Sequence, residues 1–246
     1  MVMPAQPTFR ISRAPREQPL HERLWIATMK FDAVIFDLDG TLLDSLEDIA
    51  RAANSVLAAL GRATYAVAVY KELVGDGLGM LFERALPDCI GSPGLKADCM
   101  LRFEEAYSEC WKNRSKPYEG IRELLEQLNE RSVSLSVLSN KADAFTKRCV
   151  EYFFESIRFG HVLGQTERFP RKPDPASVQW IVSQLAVDVD RIAYVGDTNT
   201  DMKTALGGGL YAIGVTWGFR PERELLSAGA MHICHDVRQL SECLLG

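Results

Sequence analysis

No two of the six cysteines stand at C-x-x-C spacing; Cys89, Cys99, Cys110, Cys149, Cys234 and Cys243 are scattered along 246 residues. That scatter argues against a disulfide framework and reads as reduced thiols of a cytoplasmic protein. No apolar run approaches the roughly 20 residues needed to span a bilayer, so no membrane anchor is expected. Basic residues are in deficit, with 28 Lys and Arg against 33 Asp and Glu and a net charge of −5. The basic patch that a nucleic-acid partner would require has no support in that balance. Internal repeats and low-complexity tracts are also missing.

What is present is the composition of an ordinary globular protein, 47% hydrophobic and 25% charged. The length suits one large domain or a core with a smaller module. Residues 1–28 differ: they hold Pro4, Pro7, Pro15 and Pro19, their Arg10, Arg13, Arg16 and Arg23 outnumber Glu17 and Glu22, and the longest apolar stretch is too short for a secretory signal. They read as a flexible arm, or as sequence upstream of a start at Met29.

After Met29, apolar runs alternate with helical stretches, the pattern of an α/β fold with a doubly wound parallel sheet. Strands are expected at 33–37, 133–138, 159–163, 191–195, 211–215 and, more weakly, 231–234. Helices are expected near 121–130, 141–154, 174–186, 199–206 and 236–245. Between Asp44 and Pro117 the spacing is helical throughout, at 45–60, 66–74, 78–86 and 95–113. That stretch reads as a helical cap at 45–117, inserted into a core of 29–44 and 118–246, with crossings near 43–45 and 116–120.

The run Ala33-Val34-Ile35-Phe36 ends in Asp37 and Asp39 and turns at Gly40. Strand side chains alternate with period two, so both carboxylates are expected on one side of the strand's end. Two carboxylates placed together are costly to ionise without a cation between them. The arrangement suits a hard divalent metal and covalent chemistry at a carboxylate. Further polar clusters follow other apolar runs: Ser139-Asn140-Lys141, Arg171-Lys172-Pro173-Asp174 and Gly196-Asp197-Thr198-Asn199-Thr200-Asp201. All would meet at the carboxyl ends of the strands, where open α/β sheets bind ligands. Together they offer acids for a metal, a hydroxyl, an amide and a lysine, the parts that hold a metal-bound phosphoryl group.

The order DxDGT, Ser/Thr, Lys and GDxxxD resembles the haloacid dehalogenase superfamily from about Lys30 to the end. Val74-Gly75-Asp76-Gly77 with Leu81–Leu86, Pro117-Tyr118-Glu119-Gly120 and Gly214-Val215-Thr216-Trp217-Gly218 look like segments of its phosphoglycolate phosphatases. Gly207-Gly208-Gly209 and Asn199-Thr200 depart from that pattern. The resemblance implies a Rossmann-like core with a cap and a phosphatase acting on a small phosphorylated metabolite, with 2-phosphoglycolate preferred. Capped phosphatases of sugar phosphates or pyrophosphate, phosphosugar mutases and a non-catalytic binding protein are the alternatives.

By that resemblance Asp37 is the nucleophile and Asp39 the acid and base. Mg2+ would be held by Asp37, the Asp39 carbonyl and Asp197, with Asp201 ligating through water or orienting Lys172. Lys172, Ser139, the backbone of Asn140 and Thr41 would hold the phosphate, Gly40 serving the turn. Ser139 reads equally as a helix cap, and Asp201 as a helix-start carboxylate. Gly75 and Gly77 are expected in a cap loop near the site, and Tyr107 and Trp111 as packing residues. His232, Cys234 and His235 lack further ligands to close a zinc site. The oligomeric state is left open.

Overall fold

Ala33 to Phe36 are all completely buried, and they form β1 (Ala33–Phe36) at the centre of the molecule. The computed structural model describes residues 31–246, and the arm expected at 1–28 lies outside the described residues. β2 (Leu43–Asp44) follows, then the helices α1 (Leu46–Ala59), α2 (Tyr70–Leu73), α3 (Leu78–Ala85) and α4 (Pro93–Cys110). The chain returns through β3 (Lys116–Pro117), α5 (Ile121–Glu130), β4 (Ser134–Ala142), α6 (Asp143–Phe153) and β5 (Phe159–Gln165). It ends with α7 (Ala176–Gln184), β6 (Ile192–Gly196), α8 (Asn199–Gly207), β7 (Tyr211–Val215), α9 (Glu222–Ser227), β8 (His232–Cys234) and α10 (Val237–Leu245).

The six strands of the main sheet are parallel and ordered β5-β4-β1-β6-β7-β8. This is the doubly wound order, in which the chain reverses direction across the sheet beside the first strand. Period-two alternation divides the strand residues between two cores. Val34, Phe36, Ala193, Val195, Ile213 and Val215 face one side, while Ala33, Ile35, Ile192, Tyr194 and Ala212 face the other. The first of these cores continues into the helical insertion through Leu46, Ile49, Ala53, Val56 and Leu57 of α1.

At both crossings there is more than loop. Leu43 pairs with Pro117 and Asp44 with Lys116 in a short antiparallel ribbon. Just beyond it, the fully buried Asp48 of α1 accepts hydrogen bonds from the Arg114 and Ser115 amides at 2.9 and 2.8 Å. The Ser115 hydroxyl adds a third at 2.8 Å. The outgoing and returning chains are thereby held side by side, so the insertion joins the core through one narrow neck.

Besides this ribbon, whose two strands the sequence pattern does not announce, two further elements differ from expectation. β4 runs on to Ala142, because after an irregularity at Ser139-Asn140-Lys141 the pairing with β5 resumes at Ala142 and Gln165. α9 was not foreseen; its six residues are too few for a helical period to stand out in sequence.

Candidate active site

β1 ends at Phe36, and the next residue, Asp37, still donates its amide to the Val195 carbonyl of β6 at 2.9 Å. The Leu38 carbonyl accepts from the amides of Leu42 and Leu43 at 3.0 and 2.9 Å, curling residues 38–43 into a tight loop. Gly40 has φ +92°, and a Cβ there would lie 2.3 Å from an Asp197 oxygen. A side chain at Gly218 would also meet Asp197 at 2.3 Å. Two glycines therefore make the slot in which the Asp197 carboxylate sits.

Asp197 is fully buried at the end of β6. Its oxygens accept from the Thr41 hydroxyl at 2.9 Å and the Phe219 amide at 2.8 Å. Asp201 lies one turn into α8, and its carboxylate accepts from the Thr198 amide at 3.0 Å while the Thr198 side chain caps the Asp201 amide. The helix start and the site thus share one residue.

Lys172, from the loop before α7, joins these acids. Its ammonium donates to Asp37 and Asp201, each at 2.8 Å, to the Leu138 carbonyl at 2.9 Å and toward the Tyr194 hydroxyl at 3.2 Å. Its three N–H donors therefore face four acceptors, and none is left over. Carboxylate oxygens of Asp37, Asp197 and Asp201 lie within 4.8 Å of one another. Burial, opposed by Lys172 and helped by Asp201, pushes Asp37 up to about 7. Burial, with Asp201 and Asp37 adding repulsion, raises Asp197 well above the usual carboxylate range. Three buried carboxylates against one ammonium leave negative charge uncompensated, and Asp197 has no cation of its own among the described residues. The donor set is all oxygen, so it fits a hard divalent cation.

Asp39 faces the same space with different partners. It accepts from the Ser45 hydroxyl at 2.5 Å and from the Lys141 ammonium at 3.1 and 2.9 Å. Asp37 and Asp39 line a cavity of about 580 Å³ with Ser139, Asn140 and Lys141 from β4. The insertion supplies Ile49, Gly75, Gly77, Leu81, Phe103 and Tyr107 on the opposite side.

Other expected residues are placed differently. Thr41 is fully buried, does not line the cavity and spends its hydroxyl on Asp197. The Asn140 side chain is a strut: it accepts from the Lys172 amide at 2.8 Å and donates to the Gly75 and Lys172 carbonyls, both at 3.2 Å. The Ser139 hydroxyl accepts from the Lys141 amide at 3.3 Å. The His235 ring lies 3.2 Å from the Thr216 hydroxyl, and His232, Cys234 and His235 form no metal-capable group among the described residues.

Sequence reasoning passed over Lys141 and gave Tyr107 only a packing role, and it missed the contacts that hold the insertion down. Asp76 accepts from Thr200 at 2.6 Å and pairs with Arg84, while its carbonyl accepts from Arg171 at 2.8 Å. Arg220 donates to the carbonyls of Lys71 and Val74, and Lys71 to that of Gly218. Loops from β4, β5, β6 and β7 all reach the segment 71–77. The available signal was position: Lys141 directly follows Ser139-Asn140, and Thr200 lies inside GDxxxD.

Comparison with known proteins matches this arrangement. The family of haloacid dehalogenase-like hydrolases matches residues 34–215. A phosphoglycolate phosphatase of Vibrio cholerae is 30% identical over 218 residues, covering 86% of this chain and 96% of that one. One from Pseudomonas fluorescens is 29% identical over 211 residues, covering 84% and 77%. The crystal structure of a proposed phosphoglycolate phosphatase from Lactobacillus delbrueckii subsp. bulgaricus superposes with TM-score 0.81 at 29% identity, covering 89% and 100%. Fold, site geometry and sequence agree, and the chain belongs to the haloacid dehalogenase-like hydrolases.

Proposed function

We propose that this hydrolase is a magnesium-dependent phosphomonoesterase whose substrate is 2-phosphoglycolate. The observation that carries the reading is the pairing at the end of β1: Asp37 is gripped by Lys172, while Asp39 opens on the same cavity with separate partners. Two neighbouring carboxylates in different surroundings can take different roles.

Asp37 would attack phosphorus in line, forming an aspartyl-phosphate and splitting one hydrolysis into two easier steps. Lys172 holds the attacking carboxylate still and offsets its charge, with the second contact to Asp201 fixing the ammonium. Asp39 would give a proton to the leaving alkoxide and then take one from the water that releases phosphate. The Ser45 hydroxyl and Lys141 set the direction of its carboxylate. Asp37, Asp197 and Asp201 are the residues to hold the cation, with Thr41 and the Phe219 amide orienting Asp197. When bound, a divalent cation supplies positive charge for the phosphoryl oxygens. The Ser139 hydroxyl and the backbone amide of Asn140, two residues that line the cavity beside Asp37, are the candidate phosphate donors.

The helices from 46 to 110 act in this reading as a cap that closes over the reacting groups and excludes water. The relatives named above carry the substrate assignment. A panel of phosphate esters, assayed with Mg2+ and with chelator, tests it. The expected result is highest kcat/KM for 2-phosphoglycolate and no turnover in chelator. Preference for a hexose phosphate or pyrophosphate removes the substrate, and conversion of a sugar 1-phosphate to its 6-phosphate makes the protein a mutase.

A further inference from the structure

The cavity above Asp37 is a poor place for a second negative charge. Its walls carry Asp39, Glu104 and Glu167, and much of the rest is apolar, including Leu81, Met100 and Phe103. Among the described residues, Lys141 is the one cationic side chain that lines it. Lys172, the cation bound to Asp37, already faces four acceptors.

Tyr107 of α4 packs against Lys141. Its ring centroid is 4.6 Å from the Lys141 ammonium. Phe103 stacks on it at 5.3 Å and Phe145 meets it edge-on at 5.1 Å, so the ring has one orientation. The side chain is 1% exposed, and its hydroxyl has no hydrogen-bond partner. A buried hydroxyl without a partner costs stability, and such a group calls for an explanation. Burial, eased by Lys141, keeps the Tyr107 hydroxyl protonated and therefore a donor.

We infer that Lys141 and the Tyr107 hydroxyl form the subsite that reads a carboxylate on the leaving-group side of the substrate. One comes from the end of β4 and the other from the insertion, so a carboxylate held by both would bridge the two parts of the molecule. A neutral group there would leave the hydroxyl's donor and part of the ammonium's charge unused. The inference rests on the phosphomonoesterase reading and adds to it the residues that select the substrate.

The test compares two esters of nearly equal size, 2-phosphoglycolate and 2-hydroxyethyl phosphate, in which CH2OH replaces the carboxylate. The readout is the ratio of their kcat/KM values in wild type, Lys141→Met, Lys141→Arg and Tyr107→Phe. Lys141→Met is expected to slow both esters, because Lys141 also touches Asp39, and to lower the ratio roughly 10- to 100-fold, the scale of a lost charge-assisted bond. Lys141→Arg should restore most of the ratio. Tyr107→Phe should lower it about 3- to 10-fold through KM, while raising the melting temperature by removing the unpaired hydroxyl. If Lys141→Met slows both esters equally, Lys141 is only a prop for Asp39 and the subsite is wrong, with the phosphatase reading intact. Where Lys141→Met does not fold, an unchanged ratio in Tyr107→Phe overturns the subsite. A wild-type ratio near one removes both the 2-phosphoglycolate assignment and the subsite.

Discussion

The α/β core and the helical insertion meet at one cavity, but they are built to different tolerances. On the core side every acid has a polar partner and three of the four have at least two: Asp197 has Thr41 and Phe219, Asp201 has Thr198 and Lys172, Asp39 has Ser45 and Lys141, and Asp37 has Lys172. On the insertion side the wall is mostly apolar, with Tyr107 unpartnered, and the segment 71–77 is held down largely through backbone carbonyls. Chemistry that must place charges within fractions of an ångström needs the first kind of construction. Reading a substrate and letting it in and out needs only the second. Carbonyl contacts also tolerate changes of side chain, so an insertion of this kind can vary its wall without losing its hold on the core.

The contrast can be broken most severely at Asp37. Asp37→Asn should lower turnover roughly 10³-fold or more and leave the fold intact. Since burial already raises this carboxylate, a neutral amide should not reduce stability; residual turnover near wild type would remove the nucleophile role, and a collapsed fold would deny that the site is separable from the core.

Lys172→Met comes next, because it leaves Asp37 and Asp201 buried with no ammonium. A loss of roughly 3–5 kcal/mol in denaturant unfolding is expected, as for a buried pair with one partner removed. A loss below about 1 kcal/mol, typical of an exposed pair, would show that the core side is no tighter than the insertion.

Metal and pH probe the same acids reversibly. Asp37 moves from its ordinary 3.8 to about 7, so between those values the metal-free folded chain binds more protons than the unfolded one. Its contribution to stability is therefore complete below about pH 4 and lost as pH rises through 7. The melting temperature without metal should thus fall over that window, and added Mg2+ should raise it most at the alkaline end. A Mg2+ effect independent of pH would contradict the assignment of these acids to the cation.

The smallest effects belong to the insertion. Thr200→Val removes the 2.6 Å bond to Asp76 and should cost roughly 0.5–1.5 kcal/mol of closure, seen as a KM raised about 2- to 12-fold with little change in melting temperature. If melting falls as much as for Lys172→Met, Thr200 serves the core and not the seating of segment 71–77.

Sequence reading went furthest where the physics is local. The apolar run 33–36 gave a buried central strand, and acids and a lysine after later runs pointed to strand-end loops. It fell short where a loop chooses its own path. Alternation put Asp37 and Asp39 on one side, and both line one cavity, but the turn closed by the Leu38 carbonyl just beyond them leaves no period to read. Thr41 was expected at the phosphate, but Gly40 and Gly218 leave a slot that puts Asp197 against its hydroxyl. Tyr107 has the helical spacing of a packing residue; that its oxygen ends unpaired beside Lys141 depends on how α4 lies over β4.

The sequence by itself determined the parallel α/β core, the helical insertion and the kit of acids and lysine, because side-chain period and residue type act over a few positions. Only the tertiary structure decided which cation each acid receives, Lys172 for Asp37 and Lys141 for Asp39. Those pairs span 135 and 102 residues, and no local preference acts across such a separation. Strand order, loop closure and the seating of the insertion set them instead.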